Sequence, residues 1–290
     1  MNILNIKNNI LLCLIIIFIY ETYFFSSAKI KNNKNIFTFW EPREKIPGYI
    51  LLCIKTWKKF LPEYQIQILD YEKVKKYLGK ELFSQIICKN MTLPIQADAI
   101  RVAILKKFGG IWMDADTIIL NEELFKRGTI FDLIMVGDEK TKTQNIGFIY
   151  ASKNSKIINE WLKEIINKVR IYKENMINPI LDNLEMLKSW SYLGNNIVNR
   201  IITNAKTKEF LRLDRNKLNA MPELNLYKNY SQAQKYKYNL LYFRRGDPKI
   251  VLNKAKNIIL LHNSWTPFKY KSMSEQEFLS QDILLSKLLI

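Results

Sequence analysis

Asp114 and Asp116 stand one residue apart, directly after the apolar run Ile111-Trp112-Met113 and the paired glycines Gly109 and Gly110. In an extended chain, residues two apart face the same side. Both carboxylates can therefore converge on one hard divalent cation. Carboxylate oxygen suits magnesium or manganese, and two protein carboxylates leave coordination positions for a diphosphate and water. A cation held there neutralises charge on a phosphorylated leaving group. Aspartates at this spacing are common in surface turns, and the strand and double glycine ahead of them set this pair apart. Asp98 and Arg101 lie upstream at i,i+3, on one face of a helix. They form either a salt bridge on the helix surface or a ligand pair, Asp98 against hydroxyls and Arg101 against a hydroxyl or phosphate, for which planar guanidinium donors are suited. His262 is the single histidine of the chain. As neutral imidazole it would ligate a metal; as imidazolium it would contact a diphosphate. Trp265, three residues on, either covers a nucleotide or anchors the C-terminal tail. Asn145 and Gly147 can bring a turn and a backbone amide to the same place.

These side chains need elements to position them. Ile36–Trp40 reads as a strand and Tyr49–Phe60 as a helix ended by Pro62. Tyr64–Leu69 alternates as a second strand, and Asp70 opens a helix through Leu78. Pro94 starts a helix, from about Ile95, that Gly109 closes at Phe108. Ile111–Met113 then makes a short buried strand with Asp114 at its carboxyl end, where open α/β sheets place ligands. Phe131–Gly137 and Gln144–Ala151 are further strands, and Ile157–Val169 is an amphipathic helix. The stretch 170–204 reads as mainly helical, 205–255 has no decisive period, Ile258–Leu261 is a late strand, and the tail from Ser272 has a helical pattern. This order predicts an α/β fold, a sheet with flanking helices and a partly helical insertion.

The whole chain adds less. Its formal charge is +18, with 45 lysines and arginines against 27 acids. Such a surface attracts nucleic acid, anionic lipid or a phosphorylated substrate, and it is equally the by-product of a Lys-, Asn- and Ile-rich composition. Cys13, Cys53 and Cys88 are too few and too scattered for a zinc cluster or a disulfide framework. Residues 10–28 form a near-continuous apolar stretch, interrupted at Glu21, close to the about 20 residues that span a bilayer. It predicts a single-pass anchor, with a cleaved signal peptide as the alternative. Lys29, Lys31 and Lys34 after it favour a cytoplasmic catalytic domain over a luminal one. The expected division is a tail 1–9, an anchor 10–28, a linker 29–35 and one domain 36–290.

Ala97-Asp98-Ala99-Ile100-Arg101 with Lys107-Phe108-Gly109-Gly110-Ile111-Trp112-Met113-Asp114-Ala115-Asp116 resembles the donor-site core of glycosyltransferases with a DXD motif. That group includes capsular polysaccharide synthesis proteins, yeast-type initiating mannosyltransferases and the large clostridial glucosylating toxins. Ile36–Trp40, Ile46-Pro47, Cys53–Trp57, Pro62-Glu63-Tyr64 and Leu69-Asp70 follow in the family's order. His262-Asn263-Ser264-Trp265 is similar to its closing metal- and phosphate-site segment. The resemblance implies a GT-A fold and a nucleoside-diphosphate sugar donor. It also implies a manganese- or magnesium-dependent, retaining hexosyl transfer to a glycan or lipid-linked acceptor, in capsule or other surface-glycan assembly. On it, Asp98 and Arg101 orient the donor sugar and Asp116 is the firmer metal ligand. Asp114 touches ribose, sugar or metal, and Trp40 lines the base pocket. Asn145 and the 262–265 segment complete the donor site, with His262 a third candidate metal ligand. The runner-up reading is another metal-dependent nucleotide-using enzyme, such as a nucleotidyltransferase, although no Gly-x-x-x-x-Gly-Lys loop is present. A basic nucleic-acid-binding module would leave the ordered donor pattern unexplained, so no specific nucleic-acid partner is expected.

Overall fold

The computed structural model of the chain describes residues 34–126, 131–177, 191–203, 209–222 and 232–290. The chain divides into two compact units. One joins Met1–Asn32 to Glu123–Ile130, and its described element is the helical turn Glu123–Lys126. The other consists of Asn33–Glu122 and Phe131–Ile290 and holds all the strands named below.

Among the described residues, six strands form a mixed sheet. They are β1 (Asn35–Phe39), β2 (Gln65–Leu69), β3 (Gly110–Met113), β5 (Leu133–Gly137), β6 (Gln144–Ala151) and β7 (Phe210–Asp214), in the order β2-β1-β3-β6-β5-β7. A separate two-stranded sheet pairs β4 (Thr117–Ile119) with β8 (Ile258–Leu260). Strands β1, β2 and β3 are parallel, with Ile36 opposite Ile111 and Phe37 opposite Trp112. Their carboxyl ends therefore share one edge of the sheet. β6 is antiparallel to β3, with Met113 opposite Phe148, so residues 145–147 run past the end of β3. This juxtaposition sets Asn145 and Gly147 beside Asp114.

The larger helices are α1 (Gly48–Phe60), α2 (Tyr71–Leu78), α3 (Lys80–Ile86), α4 (Leu93–Phe108), α5 (Lys156–Ile177), α6 (Asn195–Thr203) and α7 (Gln232–Tyr242). Asp70 caps α2 by accepting the Lys73 N–H at 2.8 Å. Helix α4 has Pro94 in its first turn and is buried nearly all round, from Ile95 to Leu105. A helix apolar on every side belongs in a core. Its two ionic residues, Asp98 and Arg101, are carried into that core and must find partners there. Gly109 ends α4 with φ 65° and Gly110 follows at φ 96°. A Cβ on Gly109 would meet the Lys153 nitrogen at 2.7 Å, so only glycine makes this turn into β3 at low cost. Helix α1 fastens β4. The Trp57 indole donates to the Thr117 carbonyl at 2.6 Å, and Thr56 Oγ1 accepts the Ile119 N–H at 3.0 Å.

One expectation is corrected: the single-pass anchor, with the membrane partner and cytoplasmic membrane-bound placement drawn from it. Among the described residues, no helix is long and apolar enough to cross a membrane. The longest, α5, is amphipathic, with Lys163, Glu164, Lys168 and Lys173 along it, and it packs Ile158, Trp161 and Ile165 into the core. Residues 1–9 and 10–28, and the linker up to residue 33, lie outside the described residues. Membrane attachment is not carried further. The helical pattern of the tail from Ser272 is two short helices, Glu275–Leu279 and Leu284–Leu288.

One ion pair ties β5 to β7 and carries a pH prediction. Asp138, just after β5, accepts N–H bonds from Lys140 (2.8 Å) and Thr141 (3.0 Å), and the Arg215 guanidinium donates to it at 2.8 Å. These contacts, the Thr141 N–H foremost, hold its carboxyl down at about 2. A carboxyl lowered in the folded state stabilises the fold above its unfolded value near 4, and that contribution is lost as pH falls through about 2. Asp138→Asn should cost about 2 kcal/mol at pH 7. The difference in unfolding temperature from wild type should shrink as pH drops below about 4. A difference that is constant from pH 7 to pH 3 would contradict this.

Candidate functional site

The site forms where β3 ends. Asp98 is 2% exposed and Arg101 5%. Arg101 lies 3.1 Å from the Asp98 carboxylate and 3.3 Å from that of Asp114, and it donates to the Ile146 carbonyl. Its guanidinium also sits over the Trp112 ring, 5.2 Å from the centroid, while the Trp112 indole donates to Asp114 Oδ1 at 3.0 Å. The pair is therefore no exposed helix-surface bridge. Arg101 is a buried clamp that joins α4 to the strand end, and its planar fork suits two carboxylates at once. The Asp114 N–H donates to the Gly147 carbonyl at 2.8 Å, and the Gly147 N–H donates to Asn145 Oδ1 at 2.7 Å. Asp98 Oδ2 is buried and has no hydrogen-bond partner among the described residues. Burial pushes the Asp98 carboxyl up to about 7 despite Arg101, with the Asp114 charge adding to the rise.

Asp116 belongs to the second sheet. It precedes β4, whose antiparallel partner β8 delivers residues 262–265 beside it. Its Oδ2 accepts the Asn263 N–H at 2.7 Å. The buried Tyr49 of α1 donates its hydroxyl to Asn263 Oδ1. The His262 ring lies 4.0 Å from that of Trp265, and Tyr238 of α7 packs edge-on to both, at 5.6 and 5.7 Å. Tyr238 also accepts the His262 N–H at 3.3 Å. Burial, and after it the Asp114 charge, raise the Asp116 carboxyl to about 7, against the lowering by the Asn263 N–H and His262.

The structure thus brings the expected residues together in two groups. Asp98, Arg101, Asp114 and Asn145 meet around the end of β3. Asp116, His262, Asn263 and Trp265 meet around the end of β8, with Ser264 exposed on the turn between them. Trp40 follows β1 at the same sheet edge as Asp114, its N–H bonded to the Leu69 carbonyl at 2.9 Å. Tyr49, Trp112, Tyr238 and Gly194 were not singled out in the sequence. The apolar face of α1 and the tyrosine-rich α7 gave no signal for the hydroxyls they contribute.

A divalent cation fits the acidic residues in part. Burial does most to raise the Asp116 carboxyl and the neighbouring Asp114 charge adds to it, and a cation relieves that repulsion. Among the described residues, no group of three or more His, Cys, Asp or Glu side chains is placed to hold a metal. The His262 imidazole lies against the Trp265 ring, tilted by 31°. A cation here would take Asp114 and Asp116 and draw its other ligands from a diphosphate and water.

Gly194 sets the shape on the opposite side of Asp98. A Cβ there would come within 2.3 Å of Asp98 Oδ2 and 2.7 Å of Ile146 Cδ1. Gly194→Ala should push Asp98 off Arg101 and cut turnover of the substrate at least about 10-fold, the equivalent of about 1.4 kcal/mol. Steady-state kinetics alongside thermal unfolding would measure it, and an unchanged kcat/KM would contradict the placement of Asp98.

A mixed sheet with helices on its faces and an acidic, arginine-bearing carboxyl edge makes this an α/β protein with its candidate site at the strand ends. The sequence model described as capsular polysaccharide synthesis protein matches residues 6–241, and the chain belongs to that family. The match ends before β8, so the 262–265 segment enters the site on geometry. No curated protein matches the chain. Among solved structures, the PaToxG glycosyltransferase is 18% identical over 94% of this chain and 96% of that one, with a TM-score of 0.38. The galactosyltransferase LgtC, in complex with donor and acceptor sugar analogs, is 10% identical over 88% and 95%, with a TM-score of 0.40. The apo glycosyltransferase GlyE of Streptococcus pneumoniae TIGR4 is 12% identical over 88% and 61%, with a TM-score of 0.41. At these values the likeness is one of broad outline, and the family assignment rests on the sequence match.

Proposed function

We propose that this chain is a metal-dependent, retaining glycosyltransferase. It moves a hexosyl group from a nucleoside-diphosphate donor to a glycan or lipid-linked acceptor in the assembly of capsular or other surface polysaccharide. The observation that carries the reading is the buried Asp98–Arg101–Asp114 network at the end of β3. Burying the Asp98 carboxylate and the Arg101 guanidinium is costly, and a fold that needed only packing would fill this place with apolar groups. The unpartnered Asp98 oxygen supports a ligand hydroxyl as its missing donor. Arg101 holds Asp98 and Asp114 in register towards the donor sugar, and the Asn145–Gly147 turn fixes Asp114 from the other side.

Manganese or magnesium on Asp114 and Asp116 would neutralise charge that develops on the leaving diphosphate. His262 and Trp265 close the donor pocket, the imidazole towards the diphosphate and the indole over the nucleotide, with Trp40 towards the base. A retaining transfer can use the leaving phosphate as its own base, so the chain needs no further carboxylate. Calorimetric titration with nucleotide sugars and manganese tests this reading. A donor should bind, and Trp265→Ala should weaken it about 10-fold or more, the loss of a buried aromatic contact. Identical affinities in wild type and the folded Trp265→Ala and His262→Ala variants would overturn the closure.

A further inference from the structure

Beside Trp265, a groove of about 500 Å³ runs between α7 and the turn Phe268–Lys271. Two large aromatic side chains stand out at it: Phe268 is 82% exposed and Tyr236 62%. Exposed aromatic faces on a groove mark binding surfaces, since nothing in the fold rewards leaving them in water. The groove is also lined by Lys235, Arg244 and Lys269, and among its described lining residues there is no carboxylate. Asn239, between the two ends of the helix face, donates its amide to the Lys235 carbonyl at 2.9 Å, while its Oδ1 is buried with no hydrogen-bond donor among the described residues.

We propose that this groove is the acceptor subsite of the transferase and that it takes a glycan carrying carboxylates along its length, a uronate-bearing chain. The inference rests on the sugar-transfer reading above and names its acceptor class. Flat aromatic rings offer stacking faces to pyranose rings, and the unsatisfied Asn239 oxygen accepts a sugar hydroxyl. The cations decide the charge of the ligand. A single phosphate is recognised by donors that converge on it. Here Lys235 sits near the start of α7 and Arg244 just past its end, at least about 10 Å apart along the helix axis. Charges spread in this way match a polymer whose negative groups recur from sugar to sugar. Trp265 belongs both to this groove and to the site at the end of β8, which puts the end of a bound chain next to the donor.

The test is direct binding of oligogalacturonate to the full chain, by calorimetry at physiological salt, against a neutral maltooligosaccharide of equal length and a sugar phosphate. The oligogalacturonate should bind at least 10-fold tighter than either. Phe268→Ala and the pair Lys235→Ala/Lys269→Ala should each weaken it 10-fold or more, whereas Lys75→Ala/Lys76→Ala on α2, which removes the same charge elsewhere, should change it less than 2-fold. Equal binding of the neutral glycan, tighter binding of the sugar phosphate, or an equal loss in the α2 pair would overturn the proposal. Donor hydrolysis without acceptor, measured on the same preparations, separates the two readings. A wild type that binds oligogalacturonate at the groove and hydrolyses no nucleotide sugar refutes the transferase assignment and leaves the glycan site standing. One that hydrolyses donor and does not bind oligogalacturonate refutes the groove alone.

Discussion

Asp116→Asn should leave the protein folded and lower manganese-dependent turnover of a nucleotide sugar by about 100-fold or more, a loss of several kcal/mol of transition-state stabilisation. The amide keeps an oxygen for the Asn263 N–H, so the β4–β8 pairing and the 262–265 turn should stay in place. What goes is one of two negative charges facing the cation. Turnover followed across a range of manganese concentrations should show a raised metal requirement, a lowered ceiling, or both. Wild-type rates at every concentration in a folded Asp116→Asn protein would remove Asp116 from the site.

Arg101→Met should be the most damaging single change to the fold near the site. Arg101, itself buried, bonds the buried carboxylate of Asp98, the partly exposed one of Asp114 and the Ile146 carbonyl. Deleting one partner of a buried ion pair costs about 3–5 kcal/mol, because the remaining carboxyl must either stay charged without a partner or take up a proton. Most of that cost falls on Asp98, which is the more deeply buried carboxylate. Adding Asp98→Asn in the Arg101→Met background should therefore restore at least about 1 kcal/mol of stability. It should restore no turnover, since both donor-facing groups are then gone. Denaturant unfolding of the four members of this cycle checks the first part and donor kinetics the second. Additive losses in stability would contradict the clamp.

The sequence was most legible where local chemistry and tertiary role coincide. Gly109 and Gly110 had to turn the chain, Asp70 had to cap a helix, and the Ile111–Met113 run had to be buried, so β1 to β3 and helices α1, α2 and α4 stand close to where their residues place them, whereas α3, at Lys80–Ile86, was not anticipated. Asp98 and Arg101 could be put on one helical face by spacing alone. Their burial could not, because it depends on α4 being covered on every side, a fact of packing and not of period. Strand β7 was missed for a related reason. Phe210-Leu211-Arg212-Leu213-Asp214 alternates for only five residues and is held by parallel pairing to β5, a contact far along the chain. The β4–β8 pairing brings the 262–265 segment to Asp116, where the backbone of Asn263 donates to the carboxylate. Which atom of a segment arrives is settled by the 3-10 turn at Asn263–Trp265 and by Tyr238, and neither has a signature in the residues before it.

The central claim is best tested by chelator-treated protein given a panel of nucleotide sugars and nucleoside triphosphates, with and without added manganese, and followed by phosphorus NMR and by product mass in the presence of uronate and neutral acceptors. One nucleotide sugar should be consumed only when manganese is present. A nucleoside diphosphate should be released, and the acceptor should gain the mass of one sugar residue. Consumption of a triphosphate with release of pyrophosphate, or no consumption of any nucleotide sugar by folded, metal-supplied protein, would contradict it.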